Sequence, residues 1–296
     1  MLLWRFVVKA SGTWYTEENT CVKTEITGEI SMMYNAKERK LQLRNMQIDY
    51  ITFGVGTKPL VMIQGLNTSG IKGTSVPLAW MYRTFAKDYT VYLFDRRPDV
   101  FDGITVKELA DDVALAMDAL KIQNADVIGV SQGGMIAQYL AINRPELVNK
   151  LALAVTLSRN NDTVEGVIKN WIALVQQNAM KQLVADMTEK MYSAAYIKRY
   201  KPFMPLLTVL QKPKDAQRFI ILAKSCLTCN IYDELSKIQC PVFVIGGRQD
   251  KVVGADACVE TAQKLGCRLF MYEHLGHAAY EEAKDFNNRI YEFLKE

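Results

Sequence analysis

Short apolar runs recur along the chain, and polar or turn-forming residues separate them. The runs that we predict as strands are residues 59–64, 90–95, 125–130, 150–155, 241–246 and 268–272. Strands that are apolar at nearly every position are typical of a parallel sheet covered on both faces. Upstream, apolar and polar residues alternate between Leu41 and Phe53, which predicts a pair of strands broken near Asn45.

Between the predicted strands, apolar residues return every three or four positions, as they do in an amphipathic helix. Residues 106–120 place Leu109, Val113 and Met117 on one face. The same spacing occurs at residues 135–142, 259–265 and 286–294. The alternation of strands and helices predicts a doubly wound α/β fold with right-handed crossovers.

One stretch of the chain interrupts this alternation. Residues 160–238 lack a buried strand pattern and contain helical patterns that Pro202, Pro205 and Pro213 separate. We therefore predict a helical insertion over the sheet. The predicted division is residues 39–157 and 239–296 for the α/β core and residues 158–238 for the insertion.

The first residues fit neither pattern. We predict that residues 1–38 are a leader that is poorly ordered or not native, because they are polar and turn-rich. Our hypothesis is that translation begins at Met32 or Met33, and the alternative is a genuine hairpin packed on the domain. The apolar residues at the start make a poor signal peptide, because Arg5 interrupts them and no basic segment precedes them.

Composition and charge exclude some classes of function. The chain of 296 residues is 49% hydrophobic and 23% charged, which is ordinary for a globular protein. Its net charge of +4 is small and the basic residues form no concentrated patch, so we expect no nucleic-acid partner. No apolar run reaches the ~18 residues that a membrane span requires, so we expect no membrane association.

Six cysteines are scattered along the chain. In a long chain without an export signal, free thiols in a reducing compartment are the expected state, so we predict a cytoplasmic protein. Cys226 and Cys229 form one C-x-x-C pair, but a zinc site needs two more ligands and the chain has only two histidines. We therefore expect no metal site and interpret the pair as two thiols on a helix.

The run Gly129-Val130-Ser131-Gln132-Gly133 follows a predicted strand and precedes a predicted helix. It has the form G-x-S-x-G, in which a tight strand-to-helix turn exposes the serine hydroxyl above the sheet. The helix that follows directs free N–H groups and the positive end of its dipole at developing negative charge. We therefore predict Ser131 as a nucleophile, and the alternative is a glycine-rich turn that only packs a helix on a strand.

A serine nucleophile needs a base and an acid at the same edge of the sheet. We favour His277 as the base, because it follows the last predicted strand and a glycine precedes it, and we interpret His274 as a loop residue. Asp250 lies just past the strand at 241–246, and the order Ser, Asp, His is the one expected for this turn. An N-cap or a loop salt bridge is the alternative for Asp250, and we disfavour Asp233 because it falls in a helical run.

Together, these motifs resemble the α/β-hydrolase family over residues 40–296. The run Asp95-Arg96-Arg97 is similar to the family's Asp-x-Arg turn after a core strand. The resemblance implies an α/β-hydrolase fold with a mostly parallel, doubly wound sheet, in which the helical insertion is the family's cap. It assigns the nucleophile, acid and base to Ser131, Asp250 and His277.

The sequence departs from the family in the loop after the third predicted strand. Members commonly carry His-Gly there, whereas this chain has Gln64-Gly65. The resemblance implies that the backbone N–H groups of Leu66 and Gln132 form the oxyanion hole, and loss of the histidine side chain does not by itself remove a backbone donor. The Asp-x-Arg turn also lacks its usual trailing glycine and has Pro98 near that place.

These residues predict a serine hydrolase that cleaves a small ester, lactone or thioester and requires no cofactor. Residues of the insertion that could line an apolar substrate pocket are Trp171, Met187, Met191, Tyr192 and Phe203. The alternative is that they form the insertion's own core. Two other functions stay open: a ligand-binding or receptor-like protein with an idle triad, and a perhydrolase or carbon–carbon bond hydrolase with the same triad. The expected partner is a small-molecule substrate, and the sequence does not determine the oligomeric state.

Overall fold

One mixed sheet forms the centre of the protein. The computed structural model describes residues 34–43, 46–203 and 213–296, and the strands of these residues form a single sheet of eight. The strands are β1 (Lys37–Gln42), β2 (Gln47–Phe53), β3 (Lys58–Ile63), β4 (Tyr89–Phe94), β5 (Ala125–Val130), β6 (Val148–Ala154), β7 (Val242–Gly247) and β8 (Arg268–Tyr272). Across the sheet the order is β1-β2-β4-β3-β5-β6-β7-β8. β2 is antiparallel to β1 and β4 and the other neighbouring pairs are parallel, which confirms the predicted fold class.

Helices follow most of the strands. In chain order they are α1 (Ser75–Met81), α2 (Val106–Ala119), α3 (Gln132–Asn143), α4 (Asp162–Gln176), α5 (Met180–Met191), α6 (Ala194–Tyr200), α7 (Ala216–Cys226), α8 (Ala257–Leu265), α9 (Ala279–Glu282) and α10 (Phe286–Lys295). Short 3₁₀ helices are Arg83–Phe85, Pro145–Leu147, Lys201–Phe203 and Tyr232–Lys237. Among the described residues, the stretch between β6 and β7, in which the sequence predicts only helices, contains α4 to α7.

The central strands direct their side chains into two apolar layers. Val61 and Val127 belong to one layer, whereas Leu60 and Ile128 belong to the other. This division follows from the period of two in a strand, where successive side chains point to opposite faces. All six residues of β5 are buried, and apart from Asp126 none is polar, as expected for a strand covered on both faces. Each large aliphatic side chain buried in this way contributes about 1.5–3 kcal/mol to the free energy of unfolding.

The strand order brings several loops together at one edge of the sheet. The strands β3 to β8 are parallel to one another, so their carboxyl ends lie at the same edge, where open α/β sheets form their sites. Since β3 pairs directly with β5 and Ile63 lies opposite Gly129, the loop after β3 begins beside the loop after β5. The loops after β7 and β8 follow on the other side of β6.

The helical segment α4 to α7 contacts this same edge. Asn161 caps α4 by accepting a hydrogen bond from the N–H of Val164, and its Nδ2 donates to the carbonyl of Val253 at 2.8 Å in the loop after β7. The carbonyl of Met191, at the end of α5, accepts from the N–H of Ala278 at 2.8 Å in the loop after β8. The segment is therefore tied to two loops at the carboxyl ends of strands.

The N-terminal part of the chain is described from Tyr34 onward. β1 begins at Lys37, two residues before the predicted start of the core at 39. Residues 1–33 lie outside the described residues, and with them most of the predicted leader and its hypothesised start. Among the helices that the structure describes, none has both the length and the apolar character needed to cross a bilayer.

The C-x-x-C pair corrects one sequence interpretation. Cys226 is the last residue of α7, whereas Cys229 lies beyond the end of that helix, so the two thiols do not share a helix. Between the two cysteines, Thr228 donates to the carbonyl of Ser225 from both its N–H and its hydroxyl. Both thiols are free and buried, and burial raises the pKa of the Cys226 thiol to about 12.

Candidate active site

Ser131 occupies a strained turn between β5 and α3. Its backbone has φ 53° and ψ −120°, a left-handed conformation that a residue other than glycine rarely adopts. The turn is held from both sides, because the N–H of Ser131 donates to the carbonyl of Ala154 at 2.8 Å and its carbonyl accepts from Gly134 at 2.8 Å. The nucleophile-elbow geometry that the G-x-S-x-G pattern predicts is therefore present.

The two glycines of the pattern are required by close backbone contacts. A Cβ on Gly129 would lie 2.5 Å from the carbonyl oxygen of Gly133. A Cβ on Gly133 would lie 1.9 Å from the carbonyl oxygen of Ile63, at the end of β3. Both distances are far below van der Waals contact, so only glycine lets the helix start so close to β3 and β5.

Three side chains from distant parts of the sequence form a chain of hydrogen bonds. Oγ of Ser131 lies 2.9 Å from Nε2 of His277, and Nδ1 of His277 lies 2.8 Å from Oδ2 of Asp250. His277 is 4% exposed and Asp250 is 5% exposed, so water competes little for these bonds. The structure brings together the three residues that the sequence predicts as nucleophile, base and acid.

Asp250 is fixed by its own loop after β7. Its second oxygen, Oδ1, accepts hydrogen bonds from the N–H groups of Val252 at 2.8 Å and Val253 at 3.0 Å. This leaves Oδ2 directed at the imidazole. The loop also needs Gly247, because a Cβ there would lie 2.3 Å from the carbonyl oxygen of Leu275 in the loop that carries His277.

The two disfavoured candidates lie apart from this arrangement. His274 is exposed, and Asp233 is exposed within the 3₁₀ helix Tyr232–Lys237. Among the described residues, neither side chain is hydrogen-bonded to Ser131, His277 or Asp250.

The loop after β3 lies directly against the nucleophile. A Cβ on Gly65 would be 3.2 Å from Cβ of Ser131, so the segment that carries Leu66 begins in contact with the elbow. Gln132 is the first residue of α3, and the N–H groups in the first turn of a helix have no partner within that helix. Gln132 thus follows Ser131 directly and Leu66 follows the glycine that lies against it, and the role of both N–H groups as oxyanion donors stays a prediction.

The predicted substrate-binding residues divide into two groups. Met191 and Tyr192 adjoin the His277 loop, through the carbonyl of Met191 on Ala278 and through the hydroxyl of Tyr192, which donates to Glu281 at 2.8 Å. Burial raises the pKa of the Tyr192 phenol well above its usual value, so it stays a donor.

The other group lies within the helical segment. Trp171 is 3% exposed, and its indole N–H donates to Asp186 at 2.7 Å, between α4 and α5. Met187 is partly buried against the same apolar cluster as Trp171. For Trp171, these contacts favour the alternative that it forms the segment's own core. The side chain of Phe203 lies outside the described residues.

The hydrogen-bond chain has a direct chemical consequence. With Nδ1–H donating to Asp250, Nε2 of His277 carries a lone pair that accepts the hydroxyl proton of Ser131, and the buried carboxylate stabilises the imidazolium that forms. This tautomer is assigned from the hydrogen-bond network. The arrangement suits nucleophilic attack by Ser131 at an acyl carbon.

Comparison with known proteins agrees with this geometry. A family model described as alpha/beta hydrolase fold matches residues 58–284. The chain belongs to the alpha/beta hydrolase family. The 3-oxoadipate enol-lactonase 2 of Acinetobacter baylyi is 25% identical over 260 residues, which are 84% of this chain and 90% of that protein. The 2-hydroxy-6-oxononadienedioate/2-hydroxy-6-oxononatrienedioate hydrolase of Paraburkholderia xenovorans is 26% identical over 263 residues, 84% of this chain and 91% of that protein.

Solved structures share the fold of this alpha/beta hydrolase. The enol-lactonase from Burkholderia xenovorans LB400 superposes with a TM-score of 0.75 at 20% identity, over 87% of this chain and 100% of that one. MGS-M2, an alpha/beta hydrolase enzyme from a Medee basin deep-sea metagenome library, gives a TM-score of 0.79 at 18% identity, over 87% and 98%. The predicted family and fold are confirmed, and the family together with its named hydrolases makes this chain a hydrolytic enzyme.

Two side-chain contacts of this alpha/beta hydrolase support the elbow and were not predicted from the sequence. The hydroxyl of Thr156, just after β6, donates to the carbonyl of Ser131 at 2.7 Å. The side-chain amide of Gln132 is buried and hydrogen-bonded on both of its ends, to Arg96 and to α7. The signal available for Thr156 was its place after a predicted strand, where a polar residue at the active edge is expected to contact the site.

Replacing Thr156 by valine is expected to lower the free energy of unfolding by about 0.5–1.5 kcal/mol, the net value of one intramolecular hydrogen bond. The carbonyl of Ser131 keeps its bonds from Gly134 and Met135, so no acceptor is left without a partner. Urea unfolding of both proteins measures the change. A Thr156→Ser variant keeps the hydroxyl and removes the methyl group, so it measures the effect of altered packing by itself. If the Thr156→Val variant is as stable as the wild type, the hydroxyl contributes nothing to stability.

Proposed function

We propose that this alpha/beta hydrolase cleaves a small carboxylic ester, lactone or thioester through an acyl-enzyme on Ser131. The observation that carries the proposal is the buried hydrogen-bond chain from Ser131 through His277 to Asp250. The membership of the chain in a family of hydrolases supports it. The named lactonase among its relatives favours cyclic as well as open esters in the panel of substrates to test.

In the first step, Oγ of Ser131 attacks the acyl carbon while Nε2 of His277 takes the hydroxyl proton. A bond forms between Oγ and the acyl carbon, and the carbonyl π bond becomes an oxyanion. Collapse of this intermediate breaks the bond to the leaving group, which takes the proton from His277. Water then attacks the acyl-enzyme, with His277 as base, and the acid product and the free Ser131 hydroxyl are released.

The oxyanion needs hydrogen-bond donors that are in place before the reaction begins. We assign the backbone N–H groups of Leu66 and Gln132 to this role, because Gln132 follows Ser131 directly and Leu66 follows the glycine that lies against it. One such donor contributes about 2.7–4 kcal/mol to stabilising the transition state. The positive end of α3 adds a favourable field at the same place.

The helical segment α4 to α7 is proposed to act as the cap over the site. Met191 and Tyr192 are hydrogen-bonded to Ala278 and Glu281, just after His277, so we assign these two candidates of the sequence prediction to the substrate pocket. We also propose that the enzyme acts on a small molecule in the cytoplasm.

Labelling with a fluorophosphonate followed by mass spectrometry of the modified peptide tests the proposal. We expect modification of Ser131 in the wild type and none in Ser131→Ala. Hydrolysis of p-nitrophenyl acetate, a lactone and a thioester then identifies the reaction. A modified Ser131 without turnover of any ester would favour the ligand-binding alternative, and turnover that persists in Ser131→Ala would contradict the acyl-enzyme.

A further inference from the structure

We propose that Arg96 is a positioning residue that holds the two oxyanion-donor segments in place relative to each other. The inference rests on the proposed function of Ser131, since it concerns the same site. Arg96 is the middle residue of the Asp95-Arg96-Arg97 turn after β4. Its guanidinium lies between the loop after β3 and the start of α3.

The contacts of Arg96 connect both donor segments through one nitrogen. Nη2 donates to the carbonyl of Gln64 and, at 3.1 Å, to Oε1 of Gln132. Gln64 immediately precedes Gly65 and Leu66, so this hydrogen bond holds the Gln64–Gly65 peptide unit from which the segment that carries the Leu66 N–H continues. Gln132 is itself the second donor residue. Nη2 of Arg96 is therefore hydrogen-bonded to both donor segments.

The side chain of Gln132 is held at its other end as well. Its Nε2 donates to the carbonyl of Leu222 at 2.7 Å, and lies 3.1 Å from Oγ of Ser225 and 3.2 Å from Sγ of Cys226, all in α7. The amide therefore has its oxygen on the guanidinium and its nitrogen on the helical segment. This arrangement couples α7 to the residue that presents the second oxyanion donor.

Burying the charged guanidinium of Arg96 costs free energy, so we expect its contacts to have a role in the protein. Arg96 is 5% exposed, and its Nε has no hydrogen-bond partner among the described residues. The pKa of its guanidinium is lowered to about 10, because burial outweighs the opposing charge of Asp95 and the Arg218 cation adds to the lowering, so the group is still charged at neutral pH. An apolar side chain would fill the same space without a buried charge. The cation also adds a favourable field for an oxyanion.

Arg97, in the same turn, provides a matched control. It forms an ion pair with Asp112 and, among the described residues, makes no hydrogen bond to Gln64 or Gln132. The loop after β3 has a separate anchor, because Asp95 accepts from the N–H of Ile71 at 3.1 Å. Loss of Arg96 should therefore misplace the donors without detaching the loop.

Arg96→Met tests the proposal, with Arg97→Met as its control. We expect kcat for the best ester of the panel to fall by about 10–100-fold in Arg96→Met while KM changes less than about threefold, since loss of a whole donor costs about 10²–10³ in kcat. The rate of fluorophosphonate modification at Ser131 should fall in parallel. Arg97→Met should stay within about threefold of wild type on both measures.

Two further variants distinguish the bridging role of Arg96, its hydrogen bonds to Gln64 and Gln132, from the effect of its positive charge alone. Arg96→Lys keeps the cation but not the planar fork, and we expect it to recover less than about a third of the lost rate. Gln132→Met keeps the backbone N–H and removes the amide, and combining it with Arg96→Met should lower the rate no more than the more damaging single change. Full rescue by Arg96→Lys, or multiplicative effects in the double variant, would overturn the bridging role.

Failure of the proposed function is distinguishable from failure of this inference. If wild-type Ser131 reacts with neither ester nor fluorophosphonate, the proposed function is wrong. The positioning role of Arg96 is then tested by the free energy of unfolding in urea of the Arg96→Met variant, the Gln132→Met variant and the double variant. Additive losses in the free energy of unfolding would show that the two side chains do not act together and would overturn the proposal, whereas non-additive losses would support it.

Discussion

Replacing His277 by alanine is expected to lower kcat for ester hydrolysis by about 10⁴–10⁶-fold. The imidazole is the acceptor of the Ser131 proton at 2.9 Å, and without it the hydroxyl must ionise unaided near neutral pH. KM should change little, because the ring contributes to the transition state rather than to binding of the ground state. Steady-state kinetics with p-nitrophenyl acetate measures both constants.

His274 is the natural control for this variant. It is exposed and lies three residues earlier in the same loop, so His274→Ala removes an imidazole without touching the hydrogen-bond chain. We expect its kcat to stay within about twofold of wild type. A His277→Ala protein that folds and retains more than a tenth of the wild-type rate would exclude His277 as the base.

Replacing Gly133 by alanine is expected to lower the free energy of unfolding by about 3–5 kcal/mol, or to prevent folding. The new methyl carbon would lie 1.9 Å from the carbonyl oxygen of Ile63 and 2.6 Å from that of Gln64. Both are backbone atoms of the sheet edge, so neither can rotate away as the end of a side chain does. Urea or thermal unfolding measures the change.

Gly166→Ala makes the opposite prediction and serves as the control. Gly166 lies inside α4, and a Cβ built there meets no atom within 4 Å. The same chemical change should therefore stabilise the protein by about 0.5–1 kcal/mol, because alanine restricts the unfolded chain and favours the helix. Equal effects of the two substitutions would show that the contact at Ile63 does not govern Gly133.

Much of the fold was predictable because its signals are local. The strand predicted at residues 125–130 is β5 (Ala125–Val130), and the helix predicted at 106–120 is α2 (Val106–Ala119). Both follow from the spacing of apolar residues, which burial on one or two faces imposes directly. The start of α3 at Gln132, three residues before the predicted start at 135, was missed because the elbow glycines carry no apolar side chains.

The site was predictable where chemistry and chain position coincide. Ser131, Asp250 and His277 each follow the carboxyl end of a parallel strand, and parallel strands bring such positions to one edge. Trp171 shows the limit of this reasoning. It was a candidate for the substrate pocket because it is apolar and lies in the insertion, yet its indole donates to Asp186 inside that segment.

The amino-acid sequence alone therefore determined the order of elements, the family and the three residues of the hydrogen-bond chain. Periodicity, turn glycines and the order of predicted strands depend on residues that are close in sequence, so they can be recognised from the sequence alone. The tertiary structure decided what surrounds the nucleophile. Arg96 is hydrogen-bonded to Gln64 and Gln132, which are 32 and 36 residues away in sequence, and Gln132 is hydrogen-bonded to Leu222, 90 residues away. No local sequence pattern indicates contacts between buried polar groups so far apart.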